Sequence, residues 1–181
     1  QLRSLYGATI IYNYMKTQFK ITGLYYEIQG FKFRKYLDIQ KKNSSRKTPD
    51  VIAVLMNPGG STPVNGIDNS NEAFEAIPDR TQSQIIKVML NAGFNYARVL
   101  NLSDIREPKS NEFYKKMAEL NSKGISHSIF DDSRSEDFDQ LWVPNVPVIY
   151  GWGVSENLKP LAFKSLDMAS DSDDVTGKSS F

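Results

Sequence analysis

Six apolar residues in succession occupy positions 51–56, and Asn57-Pro58-Gly59-Gly60-Ser61 follows them directly. A short apolar run rich in Val and Ile predicts a strand that is buried on both faces of a sheet. Proline removes a backbone donor, and glycine lets the chain adopt positive φ and approach a ligand closely. Because ligands of open α/β sheets bind beyond the carboxyl ends of strands, residues 57–61 are either a ligand-binding loop or a plain tight turn.

Aromatic and polar residues alternate between positions 19 and 39, where glycines interrupt the pattern at Gly23 and Gly30. This pattern predicts antiparallel strands with a turn near Gly30. The preceding segment, residues 4–18, is apolar and aromatic without a clear period, so helix and strand both remain open there.

The second half of the chain alternates helical and strand patterns after a long irregular connection at residues 62–78. A helix is expected to begin with Asp79 or Thr81 as its N-cap and to end at Asn91-Ala92-Gly93, with an apolar face of Ile85, Ile86, Val88, Met89 and Leu90. A strand at 96–100, a helix at 110–122, a strand at 146–150 and a helix at 155–163 follow. A connection as long as residues 62–78 is usually functional or mobile.

This order of elements predicts one three-layer α/β/α domain with a mostly parallel central sheet and an N-terminal antiparallel β extension. Within a single domain spanning 1–181, we assign residues 1–48 to a basic, aromatic-rich β region, 49–165 to the α/β core and 166–181 to an acidic tail. If the three core strands are parallel, the residues after them converge on one edge of the sheet.

Charge is unevenly distributed although the net charge of the 181 residues is only +1. Residues 1–50 carry ten Lys and Arg against three acidic residues, whereas residues 131–181 carry four against ten. A basic region suits a polyanion such as nucleic acid, and an ordinary solvated surface is the alternative. The single histidine, His127, lies in a Ser- and Asp-rich stretch and is expected to be an exposed loop residue, neither ligand nor base.

The absence of cysteine excludes disulfides and thiolate metal sites. No apolar run approaches the roughly 20 residues of a membrane helix. We therefore expect a cytoplasmic monomer with no membrane partner, no cofactor and no metal ion.

Three predicted strand ends carry motifs that resemble the uracil-DNA glycosylase superfamily. Residues 55–59 (Leu-Met-Asn-Pro-Gly) resemble its first motif in the Asn-Pro-Gly form of the mismatch-specific branch. Val99-Leu100-Asn101 resembles the strand whose asparagine reads the base edge, and residues 149–155 resemble the later Leu-Trp-Gly-Ser strand and turn. The nearest relative in these motifs is an uncharacterised bacterial family with a Leu-Asn-Pro-Ser-Thr motif.

The resemblance implies a DNA-repair enzyme that flips uracil or a related modified base out of DNA and hydrolyses its N-glycosidic bond during base excision. Asn57 is then the catalytic residue, which positions the attacking water through its amide. The base would be held by Pro58, Gly59, Gly60, Ser61, Phe74, Asn101 and Ser103, and DNA would be contacted by Arg106, Lys109, Gly151, Trp152, Gly153 and Ser155. For Phe74 the alternative is a core phenylalanine, and for Asn101 it is a strand-end cap.

One departure from the family pattern concerns the late His-Pro motif, whose histidine stabilises the departing base. Nothing between Gly153 and Phe181 matches it. Either the motif lies beyond Phe181 or the chain is a weakened or non-catalytic member. Three hypotheses therefore remain: a glycosylase acting on single- or double-stranded DNA, a non-catalytic nucleic-acid- or base-binding module, and an enzyme acting on a free base, nucleoside or nucleotide.

Overall fold

The computed structural model describes residues 17–68 and 71–177. Most of the segment at 4–18, for which helix and strand were both open, lies outside these ranges. The described chain is a mixed α/β structure with one six-stranded sheet and four α-helices. Among these helices, none is both long and apolar enough to cross a membrane.

The six strands form one sheet in the order β4-β1-β2-β5-β3-β6. They are β1 (Phe19–Ile28), β2 (Phe31–Lys41), β3 (Val51–Leu55), β4 (Phe74–Glu75), β5 (Tyr96–Asn101) and β6 (Val148–Gly151). Strand β3 is parallel to both β5 and β6, whereas the β4–β1, β1–β2 and β2–β5 pairs are antiparallel.

The prediction of a mostly parallel sheet is therefore wrong, since most strand pairs are antiparallel. The cause is that the first two strands are not an extension beside the core. Strand β2 pairs directly with β5, for example at Leu37 and Val99, and this pairing merges the N-terminal strands with the parallel ones. The short edge strand β4, which was not predicted, adds another antiparallel pair.

Strands β1 and β2 form a hairpin whose two-residue turn is Gln29-Gly30, both with positive φ (50° and 81°). A two-residue turn of this kind matches the twist of the flanking strands. The predicted antiparallel strands and the turn near Gly30 are confirmed. The hairpin also contains a bulge: Leu24 pairs with Tyr36, and Tyr25 pairs with Arg34.

The bulge leaves Lys35 without an opposite residue and changes which side chains of β2 face each side of the sheet. Phe33, before the bulge, belongs to the core on one face, and Leu37, after it, belongs to the core on the other face. Arg34 lies beside Leu37 in a cavity on that second face.

Helices cover both faces of the sheet. They are α1 (Arg80–Ala92), α2 (Ser110–Ser122), α3 (Ser135–Leu141) and α4 (Lys159–Gly177). Helix α1 packs on one face, where Ile86 and Met89 meet Ala53 and Val99. The other three helices pack on the opposite face through side chains that include Phe113, Leu120, Phe138, Leu141 and Ala169.

Helix α1 begins as predicted, with Asp79 as N-cap in a capping box with Gln82, and it ends at Gly93 in the left-handed conformation. Its apolar face is narrower than predicted, because Val88 and Leu90 are exposed. Helix α4 is longer than predicted and includes residues 166–177 of the acidic tail.

The three parallel strands end at the same edge of the sheet. Leu55 of β3 pairs with Asn101 of β5 on one side and with Gly151 of β6 on the other. The predicted convergence of the three strand ends is therefore confirmed, and residues 57–61 follow the central strand of the three.

Candidate functional site

A cavity of about 400 Å³ opens beyond the carboxyl ends of β3 and β5, on the face covered by α1. The loop at 57–60 forms one wall, and the start of α1 at 79–82 forms the other. The remaining lining comes from Arg34, Leu37, Leu55, Ile85 and Val99. The first turn of this loop contains Gly59 at φ +58°, a backbone conformation that side chains other than glycine rarely adopt.

Asn57 holds this loop against the segment that follows β5. Its Nδ2 donates hydrogen bonds to the backbone carbonyl oxygens of Ile105 at 3.1 Å and Glu107 at 2.7 Å. The amide nitrogen, which can only donate, is committed to the backbone, so the acceptor Oδ1 is the atom of Asn57 left to bind a water or ligand. The predicted positioning of water by Asn57 therefore depends on Oδ1.

Arg34 is the charged side chain that the sequence analysis missed. It lines the cavity, yet only 3% of its surface is exposed. Its Nη2 donates to Oδ1 of Asn101 at 2.9 Å, while its Nε has no hydrogen-bond partner among the described residues. Burial lowers the pKa of Arg34. The sequence carries no clear signal for this position, because Phe33, Leu37 and Ile39 keep the same alternation along β2 and the bulge between them appears only in the strand pairing.

The start of α1 adds further positive potential to the cavity. The first N–H groups of a helix have no partners within it, and the helix dipole places partial positive charge there. The exposed residues Arg80 and Thr81 line the cavity at this point. Asp79 also lines it, and Oδ1 of its carboxylate accepts from the backbone N–H of Gln82 at 2.8 Å.

The predicted base-binding residues divide into two groups. Pro58, Gly59 and Gly60 line the cavity. The others, Ser61, Phe74, Asn101 and Ser103, are outside its lining: the Ser61 hydroxyl is hydrogen-bonded to the Tyr25 hydroxyl at 3.0 Å, and Phe74 pairs with Gly23 in the edge strand. Asn101 is fully buried and reaches the cavity only through its hydrogen bond to Arg34.

Ser103 and His127 form a buried hydrogen-bonded group away from this cavity. His127 bonds through Nδ1 to Oγ of Ser103 at 3.0 Å and through Nε2 to Oδ1 of Asn121 at 3.1 Å. His127 is 4% exposed, so the expected exposed loop position is wrong. The segment folds inward because Ile129 and Phe130, just after it, are buried in the core. Burial lowers the pKa of His127.

The predicted DNA-contacting residues do not form one surface. Arg106 is ion-paired with Asp68, and its guanidinium lies 5.2 Å from the centre of the Tyr25 ring. Lys109 is exposed immediately before α2. Residues 152, 153 and 155 line a separate cavity of about 180 Å³, and Trp152 packs against the core under α4. The three strand ends therefore share an edge of the sheet without sharing one cavity.

A second buried charged group, also missed in the sequence, surrounds Asp104. Its Oδ2 accepts from the Tyr26 hydroxyl at 2.9 Å and from Nη1 of Arg134 at 2.6 Å. Burial outweighs these favourable contacts and raises the pKa of Asp104 to about 6. Arg134 also pairs with Asp137 at 2.7 Å. Tyr26, Arg134 and Asp137 line a cavity of about 480 Å³ on the surface.

Comparison with known proteins gives no match: no protein-family model, no curated protein sequence and no solved structure is significantly similar to this chain. The fold and the cavity geometry are thus the basis for assigning a function.

Proposed function

We propose that this protein binds DNA and takes a flipped uracil, or a related modified base, into the cavity beside Asn57. The proposal rests on the cavity at the carboxyl ends of β3 and β5, between the Asn-Pro-Gly-Gly loop and α1. Open α/β sheets bind ligands at this end of their strands. Its volume of about 400 Å³ is within the range of small-molecule sites, roughly 300–1,000 Å³.

The sequence resemblance and the local strand arrangement support a uracil-DNA glycosylase-like layout for this part of the chain. The Asn-Pro-Gly motif follows the central strand of the parallel group β5-β3-β6, and Asn101 ends the neighbouring strand. Hydrolysis of the N-glycosidic bond is the first candidate activity. In it, Oδ1 of Asn57 accepts a hydrogen bond from the water that attacks the sugar carbon.

Binding without hydrolysis is the second candidate, and two observations favour it. The Nδ2 of Asn57 donates to two backbone carbonyls, and these bonds limit how far the amide can turn to position a reacting water. The single histidine, His127, lines a different cavity, and an asparagine amide does not take up a proton near neutral pH. In this case the protein would recognise a base in DNA and leave the bond intact.

Oligonucleotides with a single uracil, single- and double-stranded, test both candidates. Fluorescence anisotropy measures binding at about 50 mM salt and again at about 200 mM, since contacts to phosphates weaken steeply with salt. Alkaline cleavage then detects base release. Binding with release supports hydrolysis, and binding without release supports the second candidate. The absence of binding at the lower salt concentration contradicts both.

The matched variants are Asn57→Ala at the cavity and Asn91→Ala at the exposed opposite end of α1. We expect Asn57→Ala to weaken base release or uracil-dependent binding by about tenfold or more, whereas Asn91→Ala leaves both unchanged. Thermal unfolding of each variant checks that a loss at Asn57 is not a loss of folding. If both variants fold and show the same base release and the same binding, DNA binding does not depend on this cavity.

A further inference from the structure

Arg34 is a buried cation that has no anionic partner within the described part of the chain. No carboxylate there forms a salt bridge with it, and its guanidinium donates to the neutral amide of Asn101. Asp79 and Asp104 are near enough to interact with its charge. However, Asp79 caps α1, and Asp104 is paired with Arg134. Because an uncompensated buried charge is costly, an anion bound at Arg34 would stabilise the folded protein.

The start of α1 provides a second, independent attraction for an anion in the same cavity. This helix has 13 residues, and its N-terminal residues Arg80 and Thr81 line the cavity with the glycine-rich wall of Gly59 and Gly60. Asp79 lines the cavity and already binds the N–H of Gln82, so an anion would use the N–H groups of the first two helical residues, Arg80 and Thr81. N–H groups at a helix start next to a glycine-rich loop are a common arrangement for binding phosphate. The planar guanidinium groups of two arginines also match the geometry of phosphate oxygens.

We propose that this cavity binds the phosphate group of a nucleotide between Arg34 and the start of α1. The inference builds on the proposed function, because the nucleotide would be the one whose base enters beside Asn57. The phosphate belongs either to the DNA backbone at a flipped position or to a free mononucleotide. Both present the same anionic oxygens, and titration with a mononucleotide and with an oligonucleotide distinguishes them.

Isothermal titration with four probes measures the contribution of the phosphate. The probes are inorganic phosphate, deoxyuridine 5′-monophosphate, deoxyuridine, and a single-stranded oligonucleotide with one uracil. We expect the monophosphate to bind about tenfold or more tightly than the nucleoside, since a charge-assisted hydrogen bond contributes that much. Inorganic phosphate should compete with the monophosphate. A preference for the oligonucleotide over the monophosphate identifies the DNA backbone as the source.

Arg34→Gln and Arg80→Gln each remove one positive charge from the cavity. Both variants should lose about tenfold or more in affinity for phosphate and the monophosphate. Lys20→Gln is the matched control, because Lys20 is exposed on β1 and pairs with Gln40 at the opposite end of the sheet from the cavity. Its affinities should stay within about twofold of wild type.

The proposal is overturned if the wild type does not bind phosphate or the monophosphate, or if both cavity variants bind them as wild type does. Should Arg34→Gln fail to fold, the exposed Arg80 variant and the competition by phosphate decide the question. If DNA binding is equal in wild type and in both cavity variants, and the wild type binds no phosphate or monophosphate, the phosphate site is rejected and the proposed function stands. If phosphate and monophosphate bind in a way that depends on Arg34 but the protein binds no DNA, the phosphate site stands and the proposed function is rejected.

Discussion

The guanidinium of Arg34 donates from Nη2 to Oδ1 of Asn101 over 2.9 Å, and both side chains are excluded from solvent. Neither group is fully satisfied by the described residues, because Nε of Arg34 and Nδ2 of Asn101 have no hydrogen-bond partner there. Asn101 therefore orients a cation without neutralising it. An anionic ligand could supply the missing charge, and a carboxylate at position 101 would do the same from within the protein.

Asn101→Asp tests this relationship directly. The new carboxylate would pair with Arg34, so we expect the free energy of unfolding in urea to increase by about 1–3 kcal/mol. The same pairing should weaken phosphate binding by roughly tenfold, because the cation is no longer uncompensated. Asn91→Asp, on an exposed part of α1, should change stability by less than about 0.5 kcal/mol. Unchanged phosphate affinity in a destabilised Asn101→Asp variant would contradict this interpretation.

Asn57→Asp should destabilise the protein at pH 7. Its amide nitrogen is the donor to two backbone carbonyls, and an ionised carboxylate there faces two acceptors without a proton to share. We expect a loss of about 1–3 kcal/mol in the free energy of unfolding, measured with urea. Asn91→Asp again serves as the control for the change in charge. A variant as stable as wild type would show that the loop does not depend on these hydrogen bonds.

Gly151 and Gly153 should respond differently to alanine, although both were predicted to contact DNA. A Cβ at Gly151 would lie 2.8 Å from Cδ2 of Leu55, whereas a Cβ at Gly153 would meet nothing within 4 Å. Because the end of the Leu55 side chain can turn away, Gly151→Ala should lower the free energy of unfolding by about 1 kcal/mol, the low end of the cost of overpacking. Gly153→Ala should change it by less than about 0.5 kcal/mol. Equal effects in thermal or urea unfolding would argue against the close approach of β6 to Leu55.

His127 should make the protein less stable in mild acid. Its folded-state pKa is lowered by burial below the ordinary value of 6.5, so the unfolded chain binds the proton more readily. Stability is then fully present above about pH 6.5 and falls with decreasing pH, with a slope of up to roughly 1.4 kcal/mol per pH unit. Urea unfolding of wild type and His127→Gln between pH 5 and 7.5 measures this difference. Parallel pH profiles would contradict the expectation.

Ionisation of Asp104 should change the stability of the protein in the direction opposite to His127, over an overlapping range of pH. Its pKa is raised from 3.8 to about 6, so the folded state binds the proton more readily than the unfolded state does. This contribution to stability is present below about pH 4 and is lost as the pH rises to about 6, by an amount on the order of 3 kcal/mol. The pH profile of Asp104→Asn, compared with wild type, should lack this loss. Identical slopes from pH 4 to 6 would exclude it.

Features encoded by neighbouring residues were predictable from the sequence. The Asp79 N-cap, the turn near Gly30 and the buried strand before Asn57 each depend on a few adjacent residues. The sheet order was not predictable in this way, because Leu37 and Val99 pair across a long stretch of chain.

The candidate site likewise combines features that depend on adjacent residues with features that depend on distant ones. The wall formed by Pro58, Gly59 and Gly60 was expected from its local motif. The burial of His127 depends on Ser103, far away in the sequence, and hydropathy patterns do not reveal such a partner. Trp152 packs on the other face of the sheet from the cavity, although it follows a strand that ends beside β3.

The bulge in β2 determines which layer of the molecule holds the buried cation. Because the bulge absorbs Lys35 as an extra residue, Arg34 lies opposite Tyr25 and on the same face as Leu37. If β2 kept Lys35 and alternated regularly back from Leu37, Arg34 would face the opposite layer, and the cavity under α1 would lose its buried positive charge. The electrostatic character of the cavity therefore depends on one irregular residue in a strand whose other charged side chains lie outside it.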